Sequence, residues 1–145
     1  MRFISRSIRE TNKIAADSAR KLIKAGPQKP IRRAQGKHAV VVALEGELGA
    51  GKTTFVKAFA KAFGIKAHIT SPTFVLMKRY SLTAKRYIQL FHIDAYRLKT
   101  YRDLLPLGVQ EAITNPENII LIEWADRVKP ILPKKYIKIH MDHVN

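Results

Sequence analysis

Gly46-Glu47-Leu48-Gly49-Ala50-Gly51-Lys52-Thr53 decides the fold, because this stretch matches the G-x-x-x-x-G-K-[ST] phosphate-binding loop (P-loop) in full. An apolar, β-branched run at 39–44 precedes the loop, and residues 54–63 follow with apolar side chains at helical spacing before Gly64. Strand, glycine loop and helix in this order direct backbone N–H groups and the positive end of a helix at a polyphosphate. The sequence therefore predicts that the chain binds a nucleoside triphosphate.

Within the loop, the residue types predict individual contacts. Lys52 is expected to reach the β- and γ-phosphates, and the Thr53 hydroxyl is expected to ligate Mg²⁺. The predicted nucleotide-binding residues of this segment are Glu47, Gly49, Ala50, Gly51, Lys52, Thr53 and Thr54.

Length and composition bound the class of protein. The 145 residues predict one domain, 1–145, with a real hydrophobic core, and the apolar share of 46% is ordinary for a globular protein. The absence of cysteine excludes disulfides and thiolate metal sites and fits a reducing cytoplasm. No stretch approaches the length that spans a bilayer, so we expect no membrane partner.

The net charge of +16 is concentrated toward the N-terminal end of the chain. Residues 1–38 carry eleven Lys and Arg against two acids, residues 39–98 nine against three, and residues 99–145 seven against six. This asymmetry is explained either by contact with RNA or an acidic partner, or by a generally basic solvated surface. Part of the charge lies in a predicted basic loop at 26–38, which holds two prolines and two glycines.

The remaining pattern predicts an α/β fold, a P-loop NTPase-type three-layer sandwich with a central, mostly parallel sheet and a β-hairpin. The first two dozen residues have the composition of a mitochondrial transit peptide, but the capping box Ser7-Ile8-Arg9-Glu10 favours a folded helix that ends at Gly26-Pro27. Its apolar side is predicted to include Ile8, Ala15, Ala19, Leu22 and Ile23. Besides 39–44, strands are predicted at 2–4, 74–80, 86–93, 118–122 and 136–141, and short helical pieces near 100–105 and 109–113, broken by Pro106 and Gly108.

Two predicted strands end in an acidic residue, as a magnesium-dependent P-loop site requires. Glu123 follows the strand at 118–122, the more completely apolar of the two, so we expect it to be central and adjacent to the P-loop. Asp94 follows the hairpin and is expected to orient metal or water near the γ-phosphate. The alternative for either acid is that it caps the helix that follows.

Other polar and aromatic residues are candidates with ordinary alternatives. Ser71 and Thr73 lie where a nucleotide-sensing switch is expected, although Ser and Thr also form turns. Arg97 would stabilise charge on the transferred phosphoryl group or form a surface ion pair. Trp124 is either half-buried core or an exposed contact for a partner or a base. His92 and His140 are expected in packing or surface positions, since neither has ligand partners at metal spacing.

These features together resemble the TsaE (YjeE) family, small bacterial ATPases of tRNA threonylcarbamoyladenosine synthesis. The resemblance covers about residues 5–142. It rests on four motifs in the family's order: residues 46–55, Ser71-Pro72-Thr73-Phe74, His92-Ile93-Asp94-Ala95-Tyr96-Arg97-Leu98 and Ile122-Glu123-Trp124.

The resemblance implies weak hydrolysis of ATP with Mg²⁺ and a role beside the TsaB and TsaD proteins. With TsaC, these proteins place threonylcarbamoyl on adenosine 37 of tRNAs that read codons starting with A. By the same resemblance, Lys52 and Thr53 bind phosphate and Mg²⁺, Glu123 is a magnesium ligand and Asp94 supports hydrolysis. Residues 71–74 would act as the switch, and the helix around Thr11 is similar to the family segment near the adenine.

The chain departs from the family pattern in three ways. It stops at Asn145, where members generally continue with one or two strands, so part of the nucleotide wall is expected to be missing. The loop at 26–38 is longer than usual and the net charge is more basic, which fits an added contact with RNA or a partner.

Two other functions stay open from the residues alone. One is a small-molecule kinase that uses the same loop for phosphoryl transfer, for which Arg97 is the only lid candidate. The other is a basic nucleic-acid-binding module with ATP as a structural ligand, in which Lys29, Arg32, Arg33 and Lys37 contact tRNA.

Overall fold

The computed structural model describes residues 5–26, 38–72, 74–83 and 87–143. The predicted strand at 2–4, residues 27–37 of the basic loop with its four candidate tRNA contacts, and Thr73 lie outside the described residues. No helix in the described part of the chain is both long and apolar enough to cross a membrane.

A five-stranded sheet forms the centre of the described structure. Its strands are β1 (Val40–Gly46), β2 (Met77–Ser81), β3 (Gln89–Asp94), β4 (Asn118–Glu123) and β5 (Ile137–Met141). The spatial order is β2-β3-β4-β1-β5, in which β2 is antiparallel to β3 and all other pairs are parallel. The predicted α/β class with a mostly parallel sheet and a hairpin is therefore confirmed. Every residue of β4 is buried, as its continuous apolar run predicted.

Helices cover both faces of this sheet. The α-helices are α1 (Ile8–Ala25), α2 (Lys52–Ala62) and α3 (Val109–Thr114), and two 3-10 helices span Tyr101–Leu107 and Ala125–Ile131. On one face α1 and α2 pack on alternate residues of the strands such as Val42 and Leu121. On the other face α3 and the two 3-10 helices pack on the intervening residues such as Val41 and Ile120. Alternation along each strand thus builds two cores, one on each side of the sheet.

The N-terminal helix α1 is part of the folded domain. Its cap is the predicted Ser7, whose Oγ accepts a hydrogen bond from the Glu10 N–H at 3.2 Å. Glu10 in turn accepts from the Arg6 N–H rather than from the Ser7 N–H, which extends the capping box by one residue. Ala15 and Ala19 are fully buried, whereas Ile8 is 71% exposed because the packed side of the helix begins at Ile14. The prediction that Ile8 packs was wrong.

The hairpin is shorter than the sequence predicted. Residues 74–76 form a turn instead of a strand, because the Leu76 N–H donates to the Pro72 carbonyl at 2.7 Å and Leu76 adopts a left-handed φ of 64°. Strand β2 therefore begins at Met77, which pairs with Ile93 of β3. The second strand begins at Gln89 rather than at residue 86.

Each of the two connections on the second face, from β3 to β4 and from β4 to β5, contains a 3-10 helix, and the first also contains α3. The first 3-10 helix contains Pro106 and ends at Gly108, whose φ is 82°, so the helical piece predicted at 100–105 continues past the proline. Thr100 caps it, with Asp103 as the reciprocal partner. The second, Ala125–Ile131, was not predicted, and a backbone kink at Val128 explains its weak helical pattern.

Gly46 joins β1 to the P-loop at a point where another backbone comes close. Its φ is +117°, and a Cβ added there would lie 1.9 Å from the Met141 carbonyl oxygen of β5. We expect Gly46→Ala to lower the free energy of unfolding by about 1–3 kcal/mol beyond the cost of the positive φ, since backbone of β5 has to move. Urea denaturation followed by circular dichroism measures this loss.

Gly64→Ala is the matched control, because Gly64 also has a positive φ, +85°, but its nearest neighbour would be the Thr83 hydroxyl at 3.6 Å. We expect this control to lose only about 1–2 kcal/mol, the cost of a left-handed residue. Equal losses in the two variants would contradict the close approach of β5 to Gly46.

Candidate nucleotide and magnesium site

The candidate site lies at the carboxyl edge of the sheet, where parallel strands β1, β3 and β4 end side by side. The P-loop leaves β1 there and enters α2 at Lys52, and Gly49 and Gly51 take positive φ values of 76° and 102°. The first turn of α2 leaves backbone N–H groups without partners inside the helix, which suits an anion. A cleft of about 430 Å³ opens over this turn, lined by Leu48, Gly49, Gly51, Lys52, Thr53, Thr54, Ser71, Asp94, Tyr96, Arg97, Glu123 and Trp124.

Lys52 is held against its own loop. Its Nζ donates to the Gly46 carbonyl at 2.8 Å and to the Glu47 carbonyl at 2.6 Å, and it lies 4.1 Å from the centre of the Trp124 ring. Burial lowers the pKa of Lys52 below its ordinary value, and the Glu123 carboxylate is the strongest of the acids that oppose this shift. The nearby carboxylates thus only partly offset the cost of burying the ammonium. Phosphate oxygens would compete strongly with the two loop carbonyls for its hydrogen bonds.

Thr53 and Glu123 are in direct contact. Thr53 Oγ1 donates to Glu123 Oε1 at 2.6 Å, and Glu123 is only 3% exposed. Glu123 stands in register with Leu44 of β1 on one side and Asp94 of β3 on the other, so it is central and adjacent to the P-loop. Hydroxyl and carboxylate oxygens are ligands that Mg²⁺ prefers, and this pair fits that ion.

A magnesium ion at this pair would keep other oxygen ligands as well. Within residues 5–26, 38–72, 74–83 and 87–143, no group of three or more His, Cys, Asp or Glu side chains is placed to hold a metal. Mg²⁺ typically takes one or two protein ligands and fills its octahedron with water and substrate phosphates. The site therefore fits a nucleotide-bound magnesium better than a metal caged by protein alone.

Asp94 is held in place by the segment predicted as a switch. Its Oδ2 accepts from the Ser71 hydroxyl at 2.9 Å, and its Oδ1 accepts from the Tyr96 N–H at 3.0 Å. The second bond is a local turn interaction and not the helix cap that was the alternative for this residue, since Thr100 caps the helix that follows. The first bond joins Asp94 to residue 71, so the proposed catalytic acid and the described part of the switch are in contact.

His92 is the functional neighbour that the sequence analysis missed. The expectation of a packed position is correct, since the residue is fully buried, but its Nε2 lies 2.6 Å from Glu123 Oε2. Alternation along β3 puts residues 92 and 94 on the same face of the sheet, toward α2. The two-residue spacing between His92 and Asp94 could have indicated from the sequence that both face the site. The contact with Glu123 also depends on β4 being the next strand in the sheet.

Aromatic and basic side chains border the cleft on the side of Glu123. Trp124 adopts a left-handed φ of 58° and is half-buried, with its ring centre 5.0 Å from that of Tyr96. The Arg127 guanidinium lies over both rings, at 5.2 Å from Tyr96 and 5.5 Å from Trp124, and it donates to the Tyr96 carbonyl. Arg127 was not among the predicted site residues. A partner contact of Trp124 stays a prediction.

Four other predicted residues lie farther from the Thr53–Glu123 pair or outside the residues that line the cleft. Arg97 lines the cleft, but its guanidinium lies 5.0 Å over the ring of Phe74, which is 85% exposed. Glu47 accepts from the His143 N–H at 3.0 Å, and neither it nor Ala50 lines the cleft. Thr11 lies in the first half of α1, 2.8 Å from the Ser5 hydroxyl, so contact with adenine stays a prediction.

Comparison with known proteins shows which protein family and which solved structure the chain is similar to. The family model described as "Threonylcarbamoyl adenosine biosynthesis protein TsaE" matches residues 6–145. The crystal structure of YdiB from Bacillus subtilis is similar, with a TM-score of 0.70 and 30% sequence identity, covering 97% of this chain and 75% of that one.

Two curated relatives, each named tRNA threonylcarbamoyladenosine biosynthesis protein TsaE, illustrate the sequence similarity. The protein from Treponema pallidum is 41% identical over 101 residues, which is 70% of this chain and 71% of the relative. The protein from Haemophilus influenzae is 34% identical over 105 residues, 72% of this chain. The alignment spans 64% of that relative's length, slightly less than two thirds.

The buried ammonium of Lys52 makes a testable contribution to the pH dependence of stability. Since its folded-state pKa lies below the ordinary value of 10.5, the unfolded chain binds more protons between these two values. The free energy of unfolding contributed by Lys52 therefore rises with pH across that window and is constant well below it. We expect wild type to gain stability relative to Lys52→Met as the pH is raised toward 10.5, measured by urea denaturation at several pH values.

Lys57→Met is the control, because Lys57 is an exposed lysine on the same helix. Its stability difference from wild type should not change across the same pH range. A pH-independent difference for Lys52→Met as well would contradict the lowered pKa.

Proposed function

The chain belongs to the TsaE family, and on that premise we propose that it is a magnesium-dependent ATPase of the cytoplasm that acts in threonylcarbamoyladenosine modification of position 37 in tRNAs reading codons that start with A. ATP and Mg²⁺ are its cofactors, and TsaB and TsaD are its partners. It couples binding and hydrolysis of ATP to the working cycle of those proteins.

One observation carries this proposal, the 2.6 Å hydrogen bond between Thr53 Oγ1 and Glu123 Oε1. It joins the first turn of α2 to the end of β4, so the hydroxyl and the carboxylate lie where a cation shared with the β- and γ-phosphates would sit. Bound Mg²⁺ would neutralise charge on those phosphate oxygens. The nearby Lys52 ammonium supplies a second positive charge from the protein itself.

Each remaining residue then has a role that its contacts support. Lys52 binds phosphate after leaving the carbonyls of Gly46 and Glu47. Asp94, fixed by Ser71 and by the Tyr96 N–H, orients the attacking water. Because residue 71 contacts Asp94 directly, a change at the γ-phosphate would be transmitted to the switch segment through this hydrogen bond.

The contacts of the free chain also support slow hydrolysis without partners. Two cations that the reaction needs are engaged elsewhere: Lys52 with its own loop, and Arg97 with the ring of Phe74. Both have to exchange these contacts for phosphate oxygens before the transition state is stabilised. We propose that docking of TsaB and TsaD, with Trp124 at the contact, favours that exchange.

Substitutions of the two strand-end acids, Glu123 and Asp94, should affect different steps. We expect Glu123→Gln to raise the Mg²⁺ concentration needed for nucleotide binding by about tenfold or more. Asp94→Asn should instead leave magnesium-dependent binding in place and lower turnover by about 10²-fold or more, since it removes the group that orients water. Titration with a fluorescent ATP analogue and a phosphate-release assay in the presence of TsaB and TsaD measure the two quantities.

Glu117→Gln is the control, because Glu117 is an exposed acid just before β4 and outside the cleft. It should match wild type in both assays. Unchanged magnesium dependence in Glu123→Gln would assign the metal to Asp94 instead.

The partners are tested by a pull-down of TsaB and TsaD with the chain in ATP, in ADP and without nucleotide. We expect nucleotide-dependent capture and stimulated hydrolysis in the complex. Fast hydrolysis by the chain alone, without binding to either protein, would contradict the proposed role. A phosphorylated product in a screen of nucleosides and small metabolites would favour the kinase.

A further inference from the structure

The buried pair of His92 and Glu123 is the feature that the proposed function leaves unexplained. The imidazole is fully buried and the carboxylate is 3% exposed, with 2.6 Å between His92 Nε2 and Glu123 Oε2. The other ring nitrogen, His92 Nδ1, is also buried and has no hydrogen-bond partner among the described residues.

An imidazole in this position costs stability. A buried polar atom without a partner lowers the stability of the fold, and an apolar side chain would avoid that cost. Along β3 His92 lies between Leu90 and Asp94, and its cross-strand neighbours are Leu121 of β4 and Lys78 of β2. Leu90 and Leu121 pack in the core with α2, and His92 itself is fully buried beside them. Packing alone would therefore favour a leucine or phenylalanine at position 92. The presence of a histidine there is explained by something other than packing.

The contact between the His92 imidazole and the Glu123 carboxylate explains the choice of histidine. Glu123 Oε1 accepts from Thr53, while Oε2 faces His92. A single donor on one oxygen leaves a carboxylate free to turn about its last side-chain bond, whereas donors on both oxygens fix its plane. Outer partners of this kind orient metal-binding side chains and tune their affinity.

We propose that His92 is a positioning residue of the magnesium site, which donates its Nε2–H to Glu123 Oε2 and holds Oε1 toward Thr53. This inference rests on the proposed function of Glu123. The proton belongs on Nε2, because only that nitrogen has an acceptor within reach in the described structure, and Nδ1 is left as the bare nitrogen.

Two substitutions at position 92 separate donation from packing. His92→Phe keeps an aromatic ring and removes the donor, and His92→Gln places an amide N–H near the position of Nε2. We expect His92→Phe to raise the Mg²⁺ concentration for half-maximal binding of a fluorescent ADP analogue by about tenfold, and His92→Gln to restore it. Binding of the same analogue without metal should not change, because His92 is not among the residues that line the cleft.

His140→Phe is the matched control, since His140 is an exposed histidine of a strand. Its Nε2 lies 3.0 Å from Asp142 Oδ1, so its carboxylate partner is Asp142 instead of Glu123. It should match wild type in both titrations. Wild-type magnesium dependence in folded His92→Phe, or an equal loss in folded His92→Phe and His92→Gln, would overturn the assignment of His92.

A second measurement does not depend on the His92 variants folding or on a bound metal. In ¹⁵N-labelled wild-type chain without nucleotide, long-range imidazole correlations should show the His92 proton on Nε2, and Glu123→Gln should shift that signal. A proton on Nδ1 alone would overturn the inference. Wild type that binds nucleotide with no magnesium dependence at all would refute the proposed function itself, whereas failure confined to the His92 variants refutes only the positioning role.

Discussion

The parallel pairing of β4 with β1 on one side and β3 on the other sets the position of Glu123 relative to the P-loop and to Asp94. In this arrangement Glu123 stands beside Leu44, after which β1 runs into the P-loop, and beside Asp94. A shift of β4 by one residue would turn Glu123 to the opposite face of the sheet. The apolar side chains of β4 prevent such a shift, because both faces of the strand are buried in separate cores. Hydrophobic packing thus places a carboxylate within reach of Thr53.

The same placement concentrates polar groups where burial is unfavourable. Lys52, His92, Asp94 and Glu123 are all buried at one edge of the sheet, and each is retained by hydrogen bonds to its neighbours. These bonds only partly compensate for the loss of hydration, as the lowered pKa of Lys52 indicates. A polyphosphate with its cation would supply the missing charges. The site is therefore an example of local instability kept at a binding surface and balanced by the apolar cores on either side.

Much of this site follows from local sequence, and the rest depends on which strands are neighbours. The strand, loop and helix around the P-loop and the central place of Glu123 were predictable, because the spacing of the motif and the apolar run before residue 123 indicate them. The contact of His92 with Glu123 and the position of Arg127 over Tyr96 were not, since the partners lie 31 residues apart in both cases. The turn at 74–76 was also missed, because its residues have strand propensity and only the bond from Leu76 to Pro72 overrides it.

The position of Trp124 has a consequence for how the protein can be observed. It is the only tryptophan of the chain, and its ring centre lies 4.1 Å from the Lys52 ammonium and 5.5 Å from the Arg127 guanidinium. Indole emission responds to the charges and proton donors next to the ring. Departure of one of these two cations toward a phosphate would alter the intensity and wavelength of that emission. The chain therefore carries a built-in optical probe at its own P-loop, which reports on the lysine without any label.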